Sequence, residues 1–360
     1  YDFYPDKSEK RSLYISNHDQ TNPKHIGLLL ENARNIVVDG NGSDFVFHGR
    51  MLPFAVRGCK NVTLRNFSID FENPHIAQVT VVRSDDSGIS FNPAPWVKWR
   101  INKSGVFETS GHGWNAVPVA GIAFEPDTRQ IVYRTSDLSV PLDSVVRNSD
   151  GSLHAPRWID KRLVRGTVVA LRTYDRPAPG IFLDENKDTR IENVQVRYAE
   201  GMGLLAQLCS NISLDGFSVC LRGEDDPRYF TTQADATHFS ACEGLIDSRN
   251  GLYEGMMDDA INVHGTYLRI TFASADGRVV HGRYMHPQAY GFKWGEPGDS
   301  VQFVLSRTME IFGDVNVIDS VVPMDASSQD GAKEFRITLR KAIDLPLSEP
   351  VGIENLRLTP

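Results

Sequence analysis

The 360-residue sequence holds only four cysteines, Cys59, Cys209, Cys220 and Cys242, and none of them forms the close CxxC pair of a zinc site. Four in so long a chain are too sparse for a disulfide scaffold, so stability has to come from a buried core. No run of about 18 apolar residues occurs, which excludes a membrane-spanning helix. Positive charge is in deficit: 38 Lys and Arg stand against 46 Asp and Glu, a formal charge of −8. Nucleic-acid binders concentrate basic residues along the phosphate track, so this balance excludes nucleic acid as a partner. Low-complexity segments and amphipathic helical patterns are also missing. The sequence opens on Tyr1 rather than Met with no signal peptide visible in it, and the expectation is a processed or trimmed chain that is secreted, periplasmic or held at a bacterial cell surface.

What is present is a repeat. Cys59 opens CKNVTLRNFSI, Cys209 opens CSNISLDGFSV, and Cys242 opens the looser CEGLIDSRNGLY. ARNIVVDGNG carries Ala33 in the cysteine's place, and ENKDTRIENVQV extends the series. The step from Asp188 to Asn211 is 23 residues and that from Asn35 to Asn61 is 26, about one coil of a solenoid. Apolar residues alternate in each copy (Val62, Leu64, Phe67, Ile69; Ile212, Leu214, Phe217, Val219) beside Asn or Gly, the pattern of short strands bounded by turns. The fold this predicts is all-β, a right-handed parallel β-helix whose inward side chains stack coil on coil. Its cysteines would form an inward ladder of free thiols, because an unpaired cysteine behaves as a small buried hydrophobe.

Two stretches interrupt the repeat. From residue 76 to 177 the text changes to period-two alternation (IAQVTVVRSDDSGISF, LVRGTVVALRT), and from 266 to 350 it does so again (YLRITFA, SVQFVLSRT, FRITLRKA). Both read as inserted antiparallel β-barrel or sandwich domains. The predicted order is β-helix over 1–75, first insert over 76–177, β-helix with the candidate acids over 178–265, second insert over 266–350, and a truncated return to the helix over 351–360, where GIENLRLTP stands.

The stretch GLYEGMMDDAINVHG places Asp258 and Asp259 side by side. Neighbours on a regular strand point to opposite faces, and like charges this close repel. Either the backbone bends here or the pair has a task. One coil upstream, TTQADATHFS supplies Asp235, 23 residues before Asp258 and 24 before Asp259. Stacked in a solenoid, the three carboxylates would share one face with His238, Asn262 and His264. Mutual repulsion in such a cluster keeps one acid protonated near neutral pH. Glycoside hydrolysis needs that arrangement: one protonated carboxylic acid for the leaving oxygen and one carboxylate for water or the anomeric carbon. Spacing alone leaves the stereochemical course open.

Other features are weaker. Asp225 and Asp226 in RGEDDPR read as a surface turn. His112 in GHGW echoes the Gly-His-Gly of polygalacturonases but lies inside the first insert, far from the acids. A metal held by His238, Asp258 and His264 lacks any HExxH-like spacing, and no cofactor is expected. Trp96, Trp99 and Trp114 read as insert core, whereas Trp294 in FKWGEPG could line a loop and stack on a sugar.

TTQADATHFS and GLYEGMMDDAINVHG, together with YISNHDQ and YAEGMGLLAQ, resemble glycoside hydrolase family 110, exo-acting α-1,3-galactosidases of the blood-group-B-cleaving type. The resemblance runs over essentially the whole chain. It implies a parallel β-helix with inserted barrels and an inverting mechanism on terminal α-galactosyl oligosaccharides or glycoconjugates. Asp258 would be the general acid, and Asp235 and Asp259 would share the base role. Gln233, His238, Asn262, His264 and Trp294 would contact substrate or orient the acids. Family members continue with further coils beyond the point where this sequence stops, and a homodimer stays open. Two other readings remain: a polygalacturonase-like β-helix hydrolase, which would need basic residues beside the acids, and a glycan-binding β-helix adhesin in which the acids only hydrogen-bond sugar.

Overall fold

A computed structural model describes residues 1–329, 331–346 and 349–359. Each copy of the repeat starts at a residue in the left-handed region: Asn35 (φ 55°), Asn61 (φ 53°), Asp188 (φ 57°) and Asn211 (φ 57°). Short polar side chains tolerate that backbone because they can bond locally. They also bond one another along the stack, Asn61 Nδ2 donating to Asn35 Oδ1 (2.7 Å) and Asn211 Nδ2 to Asp188 Oδ1 (3.0 Å).

The alternating apolar residues extend from these turns into strands β1 (Lys24–Glu31), β2 (Arg34–Phe47), β3 (Leu52–Arg57), β4 (Lys60–Phe71), β5 (Ile181–Asp184), β6 (Lys187–Val196), β7 (Leu204–Gln207), β8 (Ser210–Asp215), β9 (Thr237–Ser240), β10 (Glu243–Arg249) and β11 (Ile261–His264). The chain alternates between two sheets. The even-numbered strands join one and the odd-numbered strands the other, each strand pairing in parallel with its equivalent on the next pass. Equivalent side chains therefore stack: Ile36 on Val62, Val38 on Leu64, Leu64 on Ile191, Ile191 on Leu214. These residues belong to the largest apolar cluster of the molecule.

The four cysteines are free and buried. Three of them stand in one inward column, which reads Ala33, Cys59, Asn186, Cys209, Cys242. Ala33 N donates to Cys59 Sγ, Asn186 N to Cys209 Sγ, and Asn186 bridges back to the previous coil by donating to Val56 O (2.7 Å) and accepting from Cys59 N (2.8 Å). An asparagine fits the column because both ends of its amide find backbone partners, which removes the cost of burying it.

Between β4 and β5 the chain leaves for a seven-stranded antiparallel sheet running from Ala77–Asp85 to Val168–Arg172, accompanied by a three-stranded sheet. After β11 it forms a closed six-stranded antiparallel barrel with its own core. Here one expectation fails. Val351–Asn355 does not resume the parallel stack; it closes the barrel, antiparallel to Tyr267–Ala273 and to Ser300–Leu305, with Val351 and Ile353 buried inside. Period-two alternation suits either setting, and the open edges of the barrel needed a strand there.

A second correction concerns Asp226. It is not on a surface turn but buried, with Arg228 Nη2 donating to its Oδ2 (2.9 Å) and Arg228 Nη1 to Asp70 Oδ1 (2.8 Å). Burial alone would push the Asp226 carboxyl up, but Arg228 and the Arg222 N–H hold it down at about 2. Replacing one member strands two buried charges. Arg228→Ala is expected to lower unfolding stability by about 3–5 kcal/mol, read from urea denaturation.

Candidate active site

Three passes of the chain meet at the start of β7, β9 and β11. Leu204 pairs with Thr237 and Thr237 with Ile261. Ala199 bridges Thr232 just before, so YAEGMG, TTQADA and GMMDDA lie side by side. This register puts Asp235 opposite Asp259, an offset of 24, with Asp258 one residue earlier. The backbone bends at Met257, Asp258 and Ala260 rather than running as a strand, and both acids of the pair are exposed in consequence. Asp235 is 3% exposed, at the floor of the cleft. One oxygen from each of the three carboxyls lies within 4.8 Å of the others.

The cluster is electrostatically lopsided. Partial loss of water pushes the Asp258 carboxyl up, and Asp235 and Asp259 push it further, while Arg176 and Arg172 oppose them. Asn262 Nδ2 donates to Asp259 Oδ2 (2.9 Å). His238 Nδ1 lies 2.7 Å from Asp235 Oδ2, and His238 Nε2 lies 2.8 Å from His264 Nε2. Asp258 is the one whose side chain makes no hydrogen bond to its neighbours among the described residues.

The structure thus gathers Asp235, Asp258, Asp259, His238, Asn262 and His264. Two expected members fall outside. Gln233 is buried, its amide nitrogen donating to the backbone oxygen of Asp175, so it ties the neighbouring loop down instead of facing the cleft. Trp294 is fully buried in the barrel, its Nε1 donating to Thr266 O (2.9 Å). A tryptophan whose N–H finds a partner can sit wholly in a core, and the Gly and Pro beside it serve the turn that follows. Of the other tryptophans, Trp96 and Trp99 pack partly buried against apolar clusters, and Trp114 lies over His75 at 4.5 Å. His112 is exposed, beside Tyr4. The trio His238, Asp258 and His264 does not converge on one point, because His238 spends its ring nitrogens on Asp235 and His264.

Several residues had no signal of their own in the sequence. Arg172 Nη2 donates to Asp137 Oδ1 (3.1 Å) and its Nη1 to Gln233 O (3.1 Å). Arg176 carries no acid partner among the described residues. Its backbone N donates to Asp19 Oδ2 and its oxygen accepts from Asp19 N (2.9 Å), which pins the YISNHDQ turn to the cleft. Within that turn Asn17 touches His238, and His18 accepts from Met202 N (3.4 Å) while its Nδ1 faces Ser16 O (3.0 Å). Burial drives the His18 ring down to about 3, so it stays neutral. Gly201 is what allows this approach: a Cβ there would stand 2.2 Å from His18 Nε2.

Glu200, in the register position of Gln233 one pass earlier, is buried with Arg50 Nη2 3.0 Å from its Oε1. Burial pushes its carboxyl up to about 8; Asp175 and Asp19 add to this, and Arg50 and Lys24 oppose it. The folded chain therefore holds a proton that an unfolded one releases near 4.5, and stability falls as pH rises between about 5 and 8. Glu200→Gln places here the residue type the next coil already accommodates, and it should flatten that fall; melting temperatures of both proteins across pH 5 to 8 check it.

Residues 77–169 match GLAA-B beta-barrel domain I, and residues 280–344 match GLAA-B beta-barrel domain II. An "Alpha-1,3-galactosidase B" of Phocaeicola vulgatus is 61% identical over the whole of this chain and 60% of its own length. Proteins of the same name from Parabacteroides distasonis (56% identical, 59% of its length) and Bacteroides fragilis (55%, 61%) match over the whole chain as well. The chain thus spans about 60% of the length of these curated relatives. Identity of this order over the entire chain, together with both barrel matches, means that the chain belongs to the family its motifs resemble, glycoside hydrolase family 110.

Proposed function

We propose that this chain carries the catalytic site of an inverting exo-glycosidase that removes terminal α-1,3-linked galactose from blood-group-B-type or linear α-galactosyl glycans. The observation that carries the reading is the three-carboxyl cluster in which the Asp258 carboxyl, without a hydrogen-bonded partner among the described residues, is pushed up by partial loss of water and by its two acidic neighbours. A raised acid keeps its proton for the glycosidic oxygen, while Asp235 and Asp259 are engaged by His238 and Asn262.

The spacing bears on the water. Nearest oxygens within 4.8 Å are closer than the roughly 6.5–9.5 Å between an inverting acid and base with water between them. A water donating both hydrogens at about 2.8 Å, however, spans acceptors about 4.5 Å apart. Asp235 and Asp259 would hold the water together on the open side of the cluster, with Asp258 offered to the leaving oxygen. Inversion rests on that sharing and on the family. Alternation of strands between two parallel sheets supports a right-handed β-helix, since such crossovers are right-handed in nearly all proteins. Secretion of the whole protein fits a glycan substrate.

Arg176 supports a second reading. The sequence around the acid pair is devoid of basic residues, yet the fold brings Arg176 and Arg172 to bear on Asp258. Arg172 is occupied by Asp137, but Arg176 is free to pair with a uronic carboxylate. A polygalacturonate cleaved in place of an α-galactoside would select this alternative.

Proton NMR during hydrolysis of an α-1,3-galactoside should show β-galactose first. Initial release of the α-anomer rules out inversion. Asp258→Asn is expected to lose at least about a thousandfold in kcat on natural linkages, in line with loss of a general acid plus the charge balance it keeps; wild-type turnover by that variant would remove Asp258 from the acid role.

A further inference from the structure

Asp235, His238, His264 and the carbonyl of Gly265 stand in a row. His238 Nδ1 is 2.7 Å from Asp235 Oδ2, His238 Nε2 is 2.8 Å from His264 Nε2, and His264 Nδ1 is 2.7 Å from Gly265 O. Each contact is a hydrogen-bond distance, and each needs one proton between its two heavy atoms. Gly265 O can only accept, so His264 Nδ1 carries a hydrogen. The nitrogen at its other end meets His238 Nε2, and two lone pairs at 2.8 Å would repel, so a second hydrogen sits there. The third lies between His238 Nδ1 and Asp235. Three hydrogens on this row leave the carboxylate and the two rings with a net charge of zero. With the carboxylate ionised, the two imidazoles together hold one positive charge.

We propose that His238 and His264 share a single proton between their Nε2 atoms and act as positioning residues, placing one positive charge behind Asp235 so that Asp235 is the ionised base of the site. The assignment deepens the glycosidase reading and, for its catalytic consequence, rests on it.

The surroundings fit one charge and no more. Burial lowers the His264 ring and so does His238 beside it, while the Gly265 carbonyl and Asp235 raise it, and three hydrogens on the row leave the two rings one positive charge rather than two. From the N-terminal turn, His18 faces His238 but is neutral, and Asn17 meets His238 Nε2 with an amide that can present either its oxygen or its nitrogen. The charge of Arg176 also acts on the His18 ring and helps to keep it neutral. In the register row of His264 on β9, β7 and β5 stand Ser240, Gln207 and Asp184, the last paired with Arg57. On the cleft side are Asp258 and Asp259. Among the described residues no second anion contacts the two rings, so the shared proton answers Asp235. The consequence for the cluster is a division of labour: Asp235 is compensated from behind, and the proton that three acids must share goes to Asp258.

Two measurements test this on the full protein. In ¹⁵N-histidine-labelled protein without substrate at pH 7, His238, assigned by loss of its signals in His238→Gln, should show a hydrogen on both ring nitrogens, with a far-downfield proton resonance between the two rings. Two neutral rings, His238 and His264 each bearing a single hydrogen, overturn the proposal. This outcome does not depend on any activity, so it stands or falls apart from the galactosidase reading. In kinetics on an α-1,3-galactoside, His238→Gln keeps a donor near Asp235 but removes the charge; the acidic limb of kcat/KM should move up by about one pH unit, with kcat lowered more than KM is raised. Equal loss at every pH, with the limb unmoved, would reduce His238 to a structural residue and overturn its electrostatic role.

Discussion

The parallel register of β9 against β11 is the constraint on which the site depends. Once Thr237 pairs with Ile261, Asp235 must stand opposite Asp259, because the stack allows no side step without moving every inward residue to the wrong place. The core enforces this from within. Ala206 on β7 and Phe239 on β9 are fully buried, so a slip between those two strands would expose them. Repulsion between carboxylates is thus opposed by the backbone pairing of β9 with β11, and the local bend at Met257 to Ala260 sets where the acids point.

Each of the three acids is then treated differently by its neighbours. Asp235 is buried and backed by His238; Asp259 is exposed and held by Asn262; Asp258 is exposed, has no hydrogen-bond partner among the described residues and feels both other acids. A symmetrical cluster would spread its proton evenly. This one has a preferred place for it, and that asymmetry is what acid and base chemistry in one cleft requires. The N-terminal turn and the loop after the first insert close over the floor of the site through Asp19, Arg176 and Lys24, whose Nζ donates to Asp19 O (2.8 Å) and Pro177 O (2.6 Å). Residues far apart in sequence are thereby fixed around the row formed by Asp235, His238 and His264.

Much of this was legible in the sequence, for a definite reason: a repeat turns spacing into contact. Asp235 and Asp259 could be brought together from their offset alone, and the column of cysteines from their phrases. Where the repeat ended, so did that legibility. Asn17, His18 and Arg176 reach the cleft on loops and Arg172 at the end of a strand of the first insert, at positions that depend on tertiary packing, and the unusual phrase YISNHDQ hinted at the first two alone. Glu200 was hidden in plain view in YAEGMG, which aligns with TTQADA once the bridge from Ala199 to Thr232 is known. Val351–Asn355 misled because a barrel strand and a solenoid strand share period-two alternation. Trp294 misled because turn residues beside it suggested exposure, and Asp226 because Pro227 beside it suggested a surface turn where Arg228 pairs it with Asp70.

The central claim is that the proton of the acid cluster resides on Asp258 because partial loss of water raises its carboxyl and Asp235 and Asp259 press on it further. Carboxyl carbon NMR of ¹³C-aspartate-labelled protein tests this directly, with Asp258 assigned by substitution. Asp258 should titrate above the ordinary aspartate range, and Asp235→Asn should move that titration downward. An Asp258 that titrates as an ordinary surface aspartate in the unaltered protein, or one indifferent to Asp235→Asn, would contradict the account.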